Sequence, residues 1–190
     1  MKHPILGVTM GDPAGVGPEI IARAAADPGV RRGSRPVVIG AASAMSTALA
    51  LVASPLTLHP VKRVGDCRWA EGTLEVLDLA NVDMQTLSRG AVSAEAGRAA
   101  YDYVERAVTL AKAREIDGIV TAPINKEALA AAGMQHTGHT EILARLSDTT
   151  DFAMLLMGHG LRVIHVTTHV ALRRVPDLVM RERVDRKSVV

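Results

Sequence analysis

Lys126, His139, Thr140 and Glu141 stand within one stretch, TAPINKEALAAAGMQHTGHTEIL, from Thr121 to Leu143. A helix that only fills a core needs an apolar stripe, which Ala128, Leu129 and Ala132 supply here. It does not need a lysine straight after a Pro-Ile-Asn turn, nor His139-Thr140-Glu141 straight after Gly138. The mixture suits an anion. A helix N-terminus presents free N–H groups and the positive end of a dipole. An imidazole and a hydroxyl beside it would complete a pocket for a phosphate or a carboxylate. Lys126 could reach an anionic substrate or polarise a hydroxyl. The plainer alternatives are that Lys126 is a solvated surface residue, Thr140 merely caps the helix and His139 packs in the turn. His136 falls outside the turn and reads as ordinary.

Two further segments carry polar residues in suggestive places. Thr9 to Ile20, TMGDPAGVGPEI, is a glycine-rich turn from strand to helix. No Gly-Lys-Ser/Thr follows, so it is not a Walker phosphate loop, and glycines at 11, 15 and 17 do not make GxGxxG. It either shapes a tight connection or, through Gly15 and Gly17, lets the backbone approach a ligand at the open end of a sheet. His165-Val166-Thr167-Thr168-His169 invites a metal reading. In a straight strand the two histidines would be roughly 13 Å apart at about 3.3 Å per residue, too far to share an ion. His169 at the strand end is then the candidate and His165 is structural. His159, between two glycines at a turn tip, reads as surface.

The elements that must position these residues alternate. Strands are expected at Ile5–Met10, Pro36–Ile39, Leu56–Leu58, Leu74–Leu79, Gly118–Val120, Phe152–Met157 and Leu161–Thr167. Helices are expected from Pro18 to Ala26, Ala44 to Val52 and Ser93 to Arg114. In the last, Ala96, Ala100, Tyr103, Ala107, Leu110 and Ala111 recur at helical spacing behind an N-capping Ser93. Such alternation predicts an α/β fold, a mainly parallel sheet covered on both faces.

Composition narrows the class. At 48% hydrophobic and 22% charged, the chain of 190 residues is globular rather than disordered. With only 2% aromatics, its core must be built from Ala, Val, Leu, Ile and Met. A net charge of +2 argues for neither nucleic acid nor membrane as partner. Cys67 is the single cysteine, so neither an intrachain disulfide nor a cysteine metal cluster can form, which fits a reducing cytoplasm. The N-terminus, MKHPILGVTMGDP, lacks the apolar run of a signal peptide.

TMGDPAGVGPEI, TAPINKEAL, TGHTEILA and VTTHVAL, in this order and spacing, resemble the 4-hydroxythreonine-4-phosphate dehydrogenase family. The resemblance runs from Ile5 to about Leu178. It implies an α/β/α layered fold related to isocitrate and isopropylmalate dehydrogenases, acting as a homodimer. It implies NAD- or NADP-dependent oxidation of a secondary alcohol β to a carboxylate on a phosphorylated four-carbon acid, followed by loss of carbon dioxide. A divalent metal (Zn, Mg or Co) would polarise the alcohol oxygen. Position by position, His139 and Thr140 match the substrate-binding His-Thr pair and His169 matches the first metal-ligand histidine. Lys126 matches a motif lysine, expected to be catalytic. The implied main substrate is 4-hydroxythreonine 4-phosphate, in pyridoxal phosphate biosynthesis. QHTGHTEILA and TTHVALRRVPDL look closer to a branch acting on D-threonate or D-erythronate 4-phosphate, which would give dihydroxyacetone phosphate.

Members of that family are longer. The resemblance therefore implies that residues 1–180 are the N-terminal part of a two-domain dehydrogenase, a truncated form of the fold and inactive alone. It places the remaining metal histidines, further substrate contacts and most of the nucleotide site beyond this chain. Arg181 to Val190, RERVDRKSVV, reads as a charged tail where the chain is cut short, its last residues not native. Such a piece is expected to expose sheet edge and apolar surface and to aggregate. Two other classes stay open: a non-catalytic module that binds phosphorylated acids through His139 and Thr140, and a histidine-based metallohydrolase.

Overall fold

The computed structural model describes residues 3–134, 138–168 and 170–188. The chain divides into two units, Met1–Ser147 and Asp148–Val190.

The first unit is built on five parallel strands: β1 (Ile5–Thr9), β2 (Arg35–Gly40), β3 (Thr57–Val61), β4 (Thr73–Asp78) and β5 (Gly118–Thr121). Their order in the sheet is β3-β4-β2-β1-β5. Right-handed crossovers then decide the layers. From β1 the chain steps one way through α1 (Gly17–Ala26) and α2 (Pro28–Gly33) to β2, and onward through α3 (Ala42–Leu51) to β3. From β4 it steps the other way through α4 (Ala94–Lys112) to β5. Helices α1 to α3 therefore cover one face and α4 the other. Val37, Val38, Ile39 and Val76, walled in by both layers, are wholly buried, which is why these strands read as continuous apolar runs.

Local chemistry sets the helix ends. Pro18 opens α1, and Ser93 accepts the Ala96 amide at 3.0 Å as the N-cap of α4. Of the periodic set expected from the sequence, Ala96, Ala100, Tyr103, Ala107 and Leu110 are buried and Ala111 is half-buried. Two short helices follow β5: α5 (Lys126–Ala131) and α6 (His139–Leu146). Leu129 of α5 and Ile142 of α6 pack with Val104 of α4 in a small core of their own. Gly97 makes this possible. A Cβ there would stand 1.9 Å from the Ala128 carbonyl oxygen, so only glycine lets α5 lie on α4.

Strand β5 is the edge of the sheet among the described residues. Val120 is 44% exposed and Ile20 46%. With Leu6, Val8 and Ile21 they line an apolar groove of about 500 Å³.

The second unit holds an antiparallel pair, β6 (Leu155–Gly158) and β7 (Leu161–Ile164). His159 and Gly160 join them with φ of 48° and 81°, as a two-residue hairpin turn of type I′ requires. Here the structure departs from the sequence reading. Strand β7 stops at Ile164, because its partner begins at Leu155 and nothing pairs beyond it. His165 is therefore not mid-strand, and a distance to His169 argued from a straight strand does not apply. His169 lies outside the described residues. A short helix α7 (Val175–Leu178) precedes α8 (Arg181–Ser188). Of the stretch read as a charged tail, residues 181–188 are thus helical, with an ion pair one turn apart between Arg181 and Asp185 at 3.5 Å. No helix among the described residues is long and apolar enough to cross a membrane.

Candidate active site

Strands β1 and β5 are neighbours in register, Thr9 beside Thr121. The segments that follow them therefore emerge together at the C-terminal edge of the sheet, where α/β folds bind ligands. Their backbones are fastened to each other. The Ala122 amide donates to the Thr9 carbonyl at 3.1 Å, and the Asp12 amide donates to the Pro123 carbonyl at 3.0 Å. Gly11 sits in that seam at φ 72°. A Cβ there would fall 2.2 Å from the Pro123 carbonyl oxygen, so the close approach and the left-handed backbone both demand glycine. Gly17 lies against the Met10 carbonyl in the same way, while a Cβ on Gly15 would make only an ordinary contact with Asp12. These glycines therefore serve the joint between two turns, which favours the plainer of the two readings of the glycine-rich segment.

Asp12 is the residue that sequence reasoning missed. Only 4% exposed, it accepts the Ala14 amide on Oδ1 at 2.8 Å. Burial raises its carboxyl above the ordinary 3.8, and hydrogen bonds from the Ala14 and Gly15 backbone work against that rise. The signal was available: a carboxylate between glycine and proline, immediately after a buried strand.

Past Pro123 the chain turns into α5. Asn125 is its N-cap, accepting the amides of Glu127 at 2.9 Å and Ala128 at 3.2 Å. This places Lys126 as the first helical residue, exposed at the same edge. The anchor is Asn125, read from the sequence only as part of the turn.

Helix α6 begins at His139 itself, one residue after Gly138, so His139 and Thr140 form its first turn. No side chain caps this end, which removes the reading of Thr140 as a helix cap. Both residues are half-buried. Burial lowers the His139 imidazole below 6.5, with the Ala122 backbone opposing the shift. At neutral pH the ring is therefore uncharged. Its Nε2 is buried with no hydrogen-bond partner among the described residues.

Three of the four singled-out segments thus meet at Ala122–Pro123: the turn after β1, the turn into α5 and the first turn of α6. The fourth, around His165 and His169, belongs to the second unit. Among the described residues no group of three or more His, Cys, Asp or Glu side chains could hold a metal ion. Elsewhere, Cys67 is buried beside Glu75, which pushes its thiol up to about 12 and makes it inert as a nucleophile.

The chain is similar in sequence and fold to known proteins. A D-threonate 4-phosphate dehydrogenase of Cupriavidus necator is 45% identical over 183 residues, covering 94% of this chain and 55% of that one. The crystal structure of a 4-hydroxythreonine-4-phosphate dehydrogenase from Burkholderia phymatum superposes with a TM-score of 0.94 at 39% identity, over 100% of this chain and 57% of that one. The same enzyme from Klebsiella pneumoniae gives 0.89 at 40% identity, over 97% and 56%. The chain thus spans about half the length of the relatives it matches. The model of the pyridoxal phosphate biosynthetic protein PdxA matches residues 32–190. With that family match over most of its length and relatives at 39 to 45% identity across nearly all of it, the chain belongs to the PdxA family.

Proposed function

We propose that the chain supplies the substrate-anion side of a nicotinamide- and divalent-metal-dependent dehydrogenase that oxidises and decarboxylates a 4-phosphorylated, four-carbon hydroxy acid. One observation carries the reading: the uncapped first turn of α6, with the half-buried His139 imidazole and the Thr140 hydroxyl, is drawn onto the Ala122–Pro123 joint. The free amides of that turn and the two side chains suit the substrate phosphate. Lys126 stands at the same edge as the cation that would meet the developing charge. His169 serves as one metal ligand in this reading, supported by the resemblance of VTTHVAL to the family's motif. The described residues offer no complete ligand set, so no step is derived through the metal.

In the reaction the carbinol carbon β to the carboxylate gives a hydride to NAD or NADP, and its hydroxyl proton is released. The β-keto acid then breaks the bond to its carboxylate, leaving as carbon dioxide. The electron pair from that bond passes through an enolate that is reprotonated at carbon.

The name of the 45% identical relative favours D-threonate 4-phosphate, whose oxidation and decarboxylation would leave dihydroxyacetone phosphate. The titles of the solved relatives and the family description favour 4-hydroxythreonine 4-phosphate. Parallel assays of the complete gene product decide between them. NAD or NADP reduction is followed on 4-hydroxythreonine, D-threonate and D-erythronate 4-phosphates with Mg, Zn or Co present. The expected result is turnover on one of the three, with KM raised about tenfold or more in His139→Ala, the loss of one charge-assisted contact. Binding by calorimetry without any turnover would leave only the non-catalytic binding module.

A further inference from the structure

The candidate site occupies the C-terminal edge of the sheet. At the opposite edge, where β2 and β4 begin, a cavity of about 250 Å³ is lined by His3, Arg31, Arg35, Arg68, Trp69 and Glu75, among others. At about 30 Å³ per liquid water it holds roughly eight, more than a bare phosphate needs.

Its charges do not cancel. Glu75, the one acid of the lining, is 2% exposed and committed elsewhere. It meets His59 Nδ1 at 2.5 Å and accepts the amides of Arg68 and Trp69 at 3.1 and 2.8 Å. The guanidinium of Arg31 donates to the carbonyls of Thr73 and Ala70, both at 2.9 Å. These acceptors are neutral, so they orient the group and leave its charge in place. Arg35 lies over the Trp69 ring, 5.1 Å from its centroid, an attraction that also spends no counter-charge. Among the described residues no ion pair joins Arg31, Arg35 or Arg68 to an acid.

Trp69 itself is held out of its ordinary backbone range, with φ 47°. A bulky aromatic in the left-handed region is an outlier that the surroundings must enforce. The hydrogen bond from its backbone N–H to the Glu75 carboxylate and the stacked Arg35 enforce it here. Its indole N–H is buried without a hydrogen-bond partner among the described residues.

We propose that this cavity is a second anion site, for a small phosphorylated metabolite, bound by the guanidinium groups of Arg31, Arg35 and Arg68 beside Trp69. Guanidinium forks match the spacing of phosphate oxygens and hold them through paired, charge-assisted bonds. The volume left over accommodates a short carbon skeleton. Nothing in this proposal depends on His139 or Thr140, which lie at the other end of the strands.

Trp69 is the single tryptophan of the chain, so its emission reports on the cavity directly. Dilute protein is titrated with inorganic phosphate and, separately, pyrophosphate, with ionic strength held constant by sodium chloride. The expected result is a saturable change in emission. In Arg35→Gln and in Arg68→Gln the midpoint should move to about tenfold higher ligand or more. The exposed Arg68 side chain makes its variant a safe one, checked by an unchanged melting midpoint. His139→Ala should leave the curve where it is. Three results would each overturn the proposal: no saturable change at matched ionic strength, curves that are the same in both arginine variants as in the parent, or a response that disappears with His139→Ala.

Discussion

The joint at Ala122–Pro123 and the β6–β7 hairpin are both held by backbone hydrogen bonds and both contain a glycine at positive φ, yet they are opposite kinds of structure. At the joint, Met10, Asp12 and Ala122 are buried, and each turn is seated on another. In the hairpin, Leu155, Leu156, Met157 and Leu161 are 40 to 67% exposed. Nearly the same apolar alphabet gives a packed seam in one place and an open apolar surface in the other. The difference is what the second layer does. Parallel strands in the first unit are covered by helices on both sides, as their crossovers require. A two-residue turn brings no such cover, so the hairpin satisfies its backbone without burying its side chains. A pair of strands alone is marginal in water, so the joint should answer to single atoms and the hairpin should not.

The sharpest break of that comparison is a matched pair of glycine substitutions. Gly11→Ala adds a methyl where a carbonyl oxygen stands 2.2 Å away, at φ 72°. The left-handed strain costs about 1–2 kcal/mol and the forced displacement about 1–3 more. A loss of roughly 2–5 kcal/mol is expected from the two together. Gly160→Ala meets nothing within 4 Å, at φ 81°, so only the first term applies and about 1–2 kcal/mol is lost locally. Urea unfolding followed by Trp69 emission, which reports on the first unit, should register the first substitution and miss the second. Equal shifts would mean that the seam is looser than its geometry.

A smaller effect separates the polar side of the joint from its counterpart. Asp12→Ala leaves the Ala14 amide without its 2.8 Å acceptor, at a cost of about 1–3 kcal/mol. Asp12→Asn keeps the acceptor and removes a buried charge, and should be close to neutral. In the hairpin, Met157→Thr changes a side chain that is 67% exposed and should stay within about 0.5 kcal/mol. The same unfolding series measures the two Asp12 variants, and circular dichroism of the whole chain measures the third. A large loss in the asparagine variant would show that the charge itself, rather than the hydrogen bond, holds the turn.

Legibility in the sequence follows the same division. Elements governed by local rules were readable. Helix α4 with its Ser93 cap, the buried strands of the sheet and the turn at His159-Gly160 all announce themselves through periodicity or turn chemistry. The placing of His139 and Thr140 at a helix start was readable too, from glycine and a polar cluster before an apolar run. What stayed hidden was non-local. Asp12 acquires its role from a partner more than a hundred positions away, Pro123, and Gly11 from the same carbonyl. Nothing within the Thr9–Ile20 window separates a glycine that faces a ligand from one that faces another turn. The length of β7 was misjudged for a related reason. Val163 to Thr167 is apolar and β-branched enough to be strand, but a strand ends where its partner does, and β6 starts only at Leu155. The helix from Arg181 was overlooked because the segment was read as a charged tail where the chain is cut short, although Arg181 and Asp185 are spaced to pair along one helical face.

The smallest expected effect tests whether His139 is tuned by the joint or merely adjacent to it. Its folded value lies below 6.5 because burial disfavours the imidazolium. Between that depressed value and 6.5 the unfolded chain binds more protons than the folded one, so stability rises with pH across this window. The contribution is fully present above 6.5 and is lost as pH falls through the folded value. His139→Gln cannot titrate, so the difference in unfolding free energy between parent and variant isolates the term from the carboxylates. That difference should shrink on acidification from pH 7 to 5, with the parent losing more. A His139 difference that is flat across this range would mean that its ring is hydrated. The anion site would then be an open surface rather than the half-buried turn on Ala122. Bound phosphate adds a second sign to the same measurement. A dianion beside Nε2 favours the imidazolium, so ligand should raise the value that burial lowers and couple binding to proton uptake. Calorimetry in two buffers of different ionisation enthalpy would read that uptake directly, and its absence in His139→Gln would assign it to this ring.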